Sequence, residues 1–253
     1  MRVLPKKQLG QHFLVDDNIL GVIGRLAQLE PDDVVLEIGP GQGVLTRYLA
    51  EHVSHVHAVE VDESLEPQLR SLPRTTLHWG DAMKLELSSL EPPVSKLVAN
   101  LPYNVATPIV VTSLDRLPLV GLWCVMVQRE VADRFFASPR TKAYGAVSVL
   151  VQLVTERTGF HAVSREVFRP RPNVESALVA FRREAPGLPP GVKRVVEGAF
   201  AHRRKTLANS LALSGVATRD RAAAALGQLG HDVHARAEEL APAEFVTLTD
   251  ALA

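Results

Sequence analysis

The stretch KLVANLPYNVATP (96–108) ends an apolar run on Asn100 and continues with Leu101, Pro102 and Tyr103. An Asn side-chain oxygen and a neighbouring main-chain carbonyl are acceptors that can take the two N–H bonds of an exocyclic amine. On a purine such an amine is a weak nucleophile, because its lone pair is delocalised into the ring. Two acceptors draw it towards tetrahedral geometry and aim the lone pair at an electrophile. Catalysis of this kind is proximity and electrostatic preorganisation, with no strong base. Pro102 has a locked φ and fixes where the Leu101 carbonyl points. Tyr103 offers a flat face for an extruded base, worth about 1–3 kcal/mol. The plain alternative is a strand-end turn beside a core Tyr.

An electrophile needs its own holder, and VVLEIGPGQGVLT (34–46) supplies a candidate: a strand, a Gly-rich turn and a helix start. Gly39, Gly41 and Gly43 let a ligand approach the backbone where a helix N-terminus presents free N–H groups. The spacing is not the G-x-G-x-x-G of dinucleotide binders, since the third Gly comes one residue early. Glu60 closes the next strand and suits the two hydroxyls of a ribose. Asp81, in HWGDAM, suits an adenine amino group. Singly, each acid reads as a surface carboxylate and the loop as a tight turn. In order, at successive strand ends, they point to an adenosyl ligand. The lack of a basic phosphate clamp favours S-adenosylmethionine over a dinucleotide.

Strand-like and helix-like runs alternate around these residues. Helices are expected at 16–29, 44–52, 64–72, 106–117, 129–137 and 143–154, and strands at 33–39, 55–62, 75–81, 95–100 and 121–128. Such alternation implies right-handed crossovers and an α/β, doubly wound, mostly parallel sheet of Rossmann-like type. TERTGFHAV and ESALVAFR read as a late antiparallel pair. REAPGLPPG (183–191) is a Pro- and Gly-rich break, followed only by helical patterns at 192–202, 204–213, 218–228 and 242–252. The expected division is 1–184, opening with a basic arm at 1–15, and a small all-helical domain at 185–253.

The 253 residues carry 28 basic and 28 acidic side chains, so net charge is uninformative and its distribution matters. Residues 30–66 hold nine acids against Arg47 alone, whereas 157–210 hold eleven basic residues against four acids. With Arg2, Lys6 and Lys7 in the arm, the pattern suits a polyanion held beside an acidic small-molecule pocket, and equally ordinary solvated faces. Cys124 is the sole cysteine, so no internal disulfide forms, and a reducing cytoplasm is the expected location. No signal-peptide core, membrane span or metal-ligand cluster is expected, and a monomer is the default.

The motifs taken together resemble the ribosomal RNA adenine dimethyltransferases, most closely their bacterial small-subunit branch. KKQLGQHFLVD is similar to that family's opening signature and LEIGPGQGVLT to its cofactor loop. VEVD, GDAM, NLPYNVATPI, VFRPRPNVESALV, AFAHRRKTLANSL and RAEELAPAEFVTL follow in order. The resemblance implies transfer of methyl groups from S-adenosylmethionine to two adjacent adenines in a hairpin near the 3′ end of small-subunit rRNA, on an immature 30S particle. It places Gln11, His12 and Leu14 against the methionine end of the cofactor, Gly39 and Gly41 in the loop, Glu60 on the ribose and Asp81 on the adenine amine. Asn100, Leu101, Pro102 and Tyr103 form the target site, with Asn100 touching cofactor as well. Phe168 is implied to close over the flipped base opposite Tyr103, the alternative being a core Phe at a strand start. Arg203, Arg204 and Lys205 are implied to bind RNA phosphates, the alternative being a solvated helix end. At His12 many members carry Asn. Two further readings are a large-subunit rRNA methyltransferase conferring antibiotic resistance, where Leu101 is typically Ile, and a non-catalytic RNA-binding assembly factor. The latter predicts decay at Glu60, Asp81 or Asn100, and all three are intact.

Overall fold

The computed structural model describes residues 12–253. It opens with β1 (Phe13–Leu14) and α1 (Asp17–Ala27), whose first turn is capped by Asp16 accepting from the Asn18 N–H at 2.8 Å. The alternating series then runs β2 (Val34–Ile38), α2 (Val44–His52), β3 (His55–Glu60), α3 (Glu66–Leu69), β4 (Thr75–Trp79) and β5 (Lys96–Asn100). Next come α4 (Ala106–Arg116), β6 (Leu122–Gln128), α5 (Arg129–Phe135), α6 (Ala146–Val154) and β7 (Thr155–Val163). β8 (Phe168–Arg169), β9 (Ser176–Arg183), α7 (Val192–Phe200), α8 (Leu207–Leu213), α9 (Arg219–Gln228) and α10 (Pro242–Leu252) complete the order. The expected elements are present with trimmed ends. β3 stops at Glu60 and β4 at Trp79, so Asp81 stands just beyond its strand, and α3 is a single turn.

Seven strands form one sheet in the order β4-β3-β2-β5-β6-β9-β7. β4, β3, β2, β5 and β6 pair in parallel, and β9 runs antiparallel to β6. Helical cover on both faces explains why all five residues of β2 are buried, and why Val35, Leu36, Val56, Leu97 and Val98 have no exposure at all. From β2 the chain winds outward through β3 to β4, then crosses back to the other flank of β2 as β5. The winding direction therefore reverses between β2 and β5. Because these strands are parallel, their carboxyl ends share one rim, and a crevice opens at the reversal. Outside this sheet, β1 pairs antiparallel with β8, Phe13 opposite Arg169 and Leu14 opposite Phe168. This two-stranded ribbon was not legible in the sequence.

Two compact units result: the chain through Ala132 with Glu156–Glu184, and Asp133–Thr155 with Ala185–Ala253. The segment 133–155, read above as part of the first domain, groups with the C-terminal helices. Its helix α6 is apolar, with Val149, Val151 and Val154 fully buried, and it packs on α7 and α10. Tyr144 lies against Phe200, and Phe200 against Phe245, at ring separations of 5.9 and 5.8 Å. The buried Tyr144 hydroxyl donates to the Leu240 carbonyl at 2.8 Å.

Candidate active site

The reversal point holds a cleft of about 250 Å³. It is lined by His12, Leu14, Gly39, Gly41, Glu60 and Asp81 together with Asn100, Leu101, Pro102 and Tyr103. Gly39 and Gly41 take φ of +75° and +56°, a conformation that disfavours any side chain. Space forbids one too. A Cβ on Gly39 would lie 3.3 Å from the Pro102 ring, and one on Gly41 2.9 Å from the Phe13 ring.

Glu60 holds this loop from the neighbouring strand. Its Oε1 accepts from the Val61 and Asp62 N–H groups, both at 2.9 Å, and its Oε2 from the Gly41 N–H at 3.2 Å. Burial raises the Glu60 pKa and the three N–H groups oppose that rise. Oε1 is filled by its two donors, while Oε2 keeps capacity for one more. Asp81 spends Oδ1 on the Met83 N–H at 2.9 Å, and its Oδ2 lies 3.9 Å from Lys84 Nζ.

In the same cleft, the Leu101 N–H donates to the Met126 carbonyl at 3.0 Å, which ties the turn to β6. The Pro102 carbonyl accepts from the Val105 N–H at 3.1 Å. The Leu101 carbonyl has no hydrogen-bond partner among the described residues. Asn100 donates its Nδ2 to the His12 carbonyl at 3.1 Å, so the end of that amide without a partner among the described residues is the oxygen. Tyr103 stacks on His12 with ring centres 5.4 Å apart, and its hydroxyl meets Ser176 Oγ at 2.5 Å. Burial pushes the Tyr103 phenol up.

Phe168 is not in the cleft. Its side chain has no exposure and packs in the core with Leu14, Ile19 and Leu178, because pairing β8 to β1 turns the ring inward. The aromatic expected over the target is thus placed in the core, beside Leu14, and not among the residues that line the cleft. Gln11 lies outside the described residues.

Glu37 was passed over in the sequence, counted only among the acids of 30–66. It lines the cleft two residues before Gly39, is 1% exposed, and its Oε2 has no hydrogen bond among the described residues. Burial raises its pKa from 4.5 to about 8, the Thr46 hydroxyl opposing that rise and the nearby Glu60 charge adding to it. The signal was available: a lone carboxylate inside the apolar run VVLEI is costly to bury unless something needs it there.

The sequence pattern described as ribosomal RNA adenine dimethylase matches residues 4–253. The chain belongs to that family. Within the dimethylase family it is 47% identical over 250 residues to the ribosomal RNA small subunit methyltransferase A of Rubrobacter xylanophilus, covering 96% of this chain and 94% of the relative. It is 39% identical over 261 residues to the protein of the same name from Geobacter metallireducens, covering 98% and 95%. A crystal structure of a dimethyladenosine transferase from Plasmodium falciparum shares the fold, with a TM-score of 0.77 and 23% identity over 94% of this chain and 96% of that one. The 23S rRNA methyltransferase ErmE aligns with a TM-score of 0.65 and 29% identity, over 95% and 99%.

The basic residues of this dimethylase at 203–205 belong to the second unit and sit in the turn between α7 and α8. They are not equivalent. Arg203 Nη2 donates to the carbonyls of Tyr144 at 3.2 Å and Lys142 at 3.4 Å and lies 3.8 Å from Glu238. Arg204 and Lys205 are exposed, and no side-chain ion pair engages them among the described residues.

Proposed function

We propose that the protein dimethylates the exocyclic amines of two adjacent adenosines in a hairpin near the 3′ end of small-subunit rRNA, on an immature 30S particle, with S-adenosylmethionine as donor. One observation carries this reading. The Asn100 oxygen and the Leu101 carbonyl, neither with a hydrogen-bond partner among the described residues, share a single cleft with Glu60 and Asp81.

The residues fit the donor molecule. Bare glycine backbone, an open acceptor site on Glu60 Oε2 and the second Asp81 oxygen suit a ligand with ribose hydroxyls and an adenine amine. When bound, that donor supplies an electrophilic methyl carbon on a sulfonium. The protein does the positioning. Asn100 and Leu101 accept the target N–H bonds and turn the nitrogen lone pair outward, and Tyr103 presents a face on which the extruded base stacks. Neither acceptor is a base, so the proton that the nitrogen sheds passes to water.

Identities of 39–47% to small-subunit enzymes, against 29% to ErmE, favour the small-subunit target over the large-subunit alternative. Purified protein, labelled donor and subunits from cells lacking the modification provide the test. Mass spectrometry should find two adjacent dimethyladenosines near the 3′ end of the small-subunit rRNA. Label confined to large-subunit rRNA would establish the alternative instead.

Arg204 and Lys205 carry the phosphate contacts in this reading, and Arg203 mainly ties the turn to residues 142–144. Reversing Arg204 and Lys205 to Glu is expected to weaken particle binding about tenfold at moderate salt and to flatten the log–log salt dependence by roughly one to two. Cofactor affinity should stay unchanged. Binding measured across a salt series checks this, and an unaltered slope would remove both residues from the contact.

A further inference from the structure

We propose that residue 12 positions the target half of the site: its main-chain carbonyl sets the direction of the Asn100 amide, and the His12 ring sets the stance of the Tyr103 ring. The inference rests on the functional reading above, in which Asn100 and Tyr103 meet the adenine.

Three contacts converge on this residue. Its main-chain carbonyl accepts from Asn100 Nδ2 at 3.1 Å. Its ring stacks on Tyr103, 5.4 Å between centres and 28° between planes. Its Nδ1 lies 2.8 Å from the Pro170 carbonyl, and since a carbonyl only accepts, that nitrogen donates. The first contact has a chemical consequence. If the Asn100 amide turned over, its oxygen would face the His12 carbonyl oxygen, two acceptors with no proton between them. The amide is thereby held nitrogen towards residue 12, and its oxygen is kept for the substrate.

Residue 12 is itself fixed. The ribbon of β1 with β8 follows it directly, extended by the Val15 N–H donating to the Val167 carbonyl at 2.9 Å. The Tyr103 ring is thus held at two points, its face by His12 and its hydroxyl by Ser176, which is fully buried at the start of β9. Neither Asn100 nor Tyr103 has to find its working rotamer after the base arrives, which is the condition for a preorganised site.

The family resemblance puts His12 against the donor molecule, and the two roles separate kinetically. A residue that only contacts donor raises the donor's KM. A residue whose ring positions Tyr103 lowers kcat when donor is saturating, and His12→Ala tests that ring contact alone, because the main-chain carbonyl that meets Asn100 is kept. For His12→Ala we expect kcat on immature small subunits to fall about tenfold at saturating S-adenosylmethionine, with monomethyladenosine accumulating. His12→Phe keeps a flat ring against Tyr103 and should recover most of that loss. The double variant His12→Ala with Tyr103→Ala should be no slower than Tyr103→Ala alone, since both act through one ring. Unchanged kcat for His12→Ala, with only the donor KM raised, would overturn the proposal. So would fully additive losses in the double variant. Failure of the underlying reading looks different, because Asn100→Ala would then itself remain active.

Discussion

Asn100→Ala is expected to lower kcat for adenine dimethylation by about 10²–10³-fold, the usual loss when one preorganised hydrogen-bonding partner is removed. The side chain does two things at once. Its oxygen is one of two acceptors available to the target amine, and its nitrogen ties the β5 end to the His12 carbonyl. Ala removes both and leaves the Leu101 carbonyl alone, so the amine keeps one N–H unheld and its lone pair stays conjugated with the ring. The fold should survive, since Asn100 is only partly buried and its backbone remains paired opposite Met126. Particle binding should survive as well, because phosphate contacts dominate affinity for RNA. Rates at saturating donor on immature small subunits, with binding measured in parallel, provide the check. A variant within threefold of the parent would strip Asn100 of its role.

The second large effect concerns Glu37. Its carboxyl has a folded pKa of about 8 against an ordinary 4.5, with burial the main cause and the Glu60 charge adding to it. The folded state therefore keeps a proton that the unfolded chain gives up. The stability this contributes is fully present below pH 4.5, is lost as the pH climbs towards 8, and levels off above that. At about 1.4 kcal/mol per pH unit the whole span has an upper bound of about 5 kcal/mol. Glu37→Gln has nearly the same shape and no titrating proton. Its Tm should match the parent's near pH 5 and exceed it by an amount of the order of 10 °C at pH 9. Melting curves from pH 5 to pH 9 decide the matter. A Tm gap that stays constant across the range would mean the carboxyl is ionised and partnered.

What the sequence disclosed and what it hid divide along physical lines. Parallel strands buried on both faces read as unbroken apolar runs, so their ends are visible and the polar residues there, Glu60 and Asn100, stand out. Asp81 was found by its place after the run TTLHW in chain order, although β4 is an edge strand with no buried residue and stops at Trp79. The β1–β8 ribbon left no trace, because each strand has two residues and neither has room for a period. Phe168 shows the limit of motif reading. Its spacing in VFRPRP marks an aromatic position, but the face its ring takes is fixed by pairing with Leu14 far back in the chain. Helix α6 shows another limit: its pattern announces an apolar face and says nothing of which neighbour covers it. Glu37 was counted only among the acids of 30–66, and its burial follows from β2 being covered on both faces, which only the assembled sheet shows.

The ribbon also bears on the moment at which the enzyme becomes competent. Phe13 and Leu14 lie near the beginning of the chain, and their partners, Phe168 and Arg169, are made much later. Until that later stretch has emerged from the translating ribosome, the early strand has nothing to pair with, and closing so long a loop is opposed by chain entropy. A nascent chain can fold β2 through β5 and still lack the clasp that seats residue 12. The segment that seats residue 12 is therefore secured only after residues 168 and 169 have been made, late in the synthesis of the first unit.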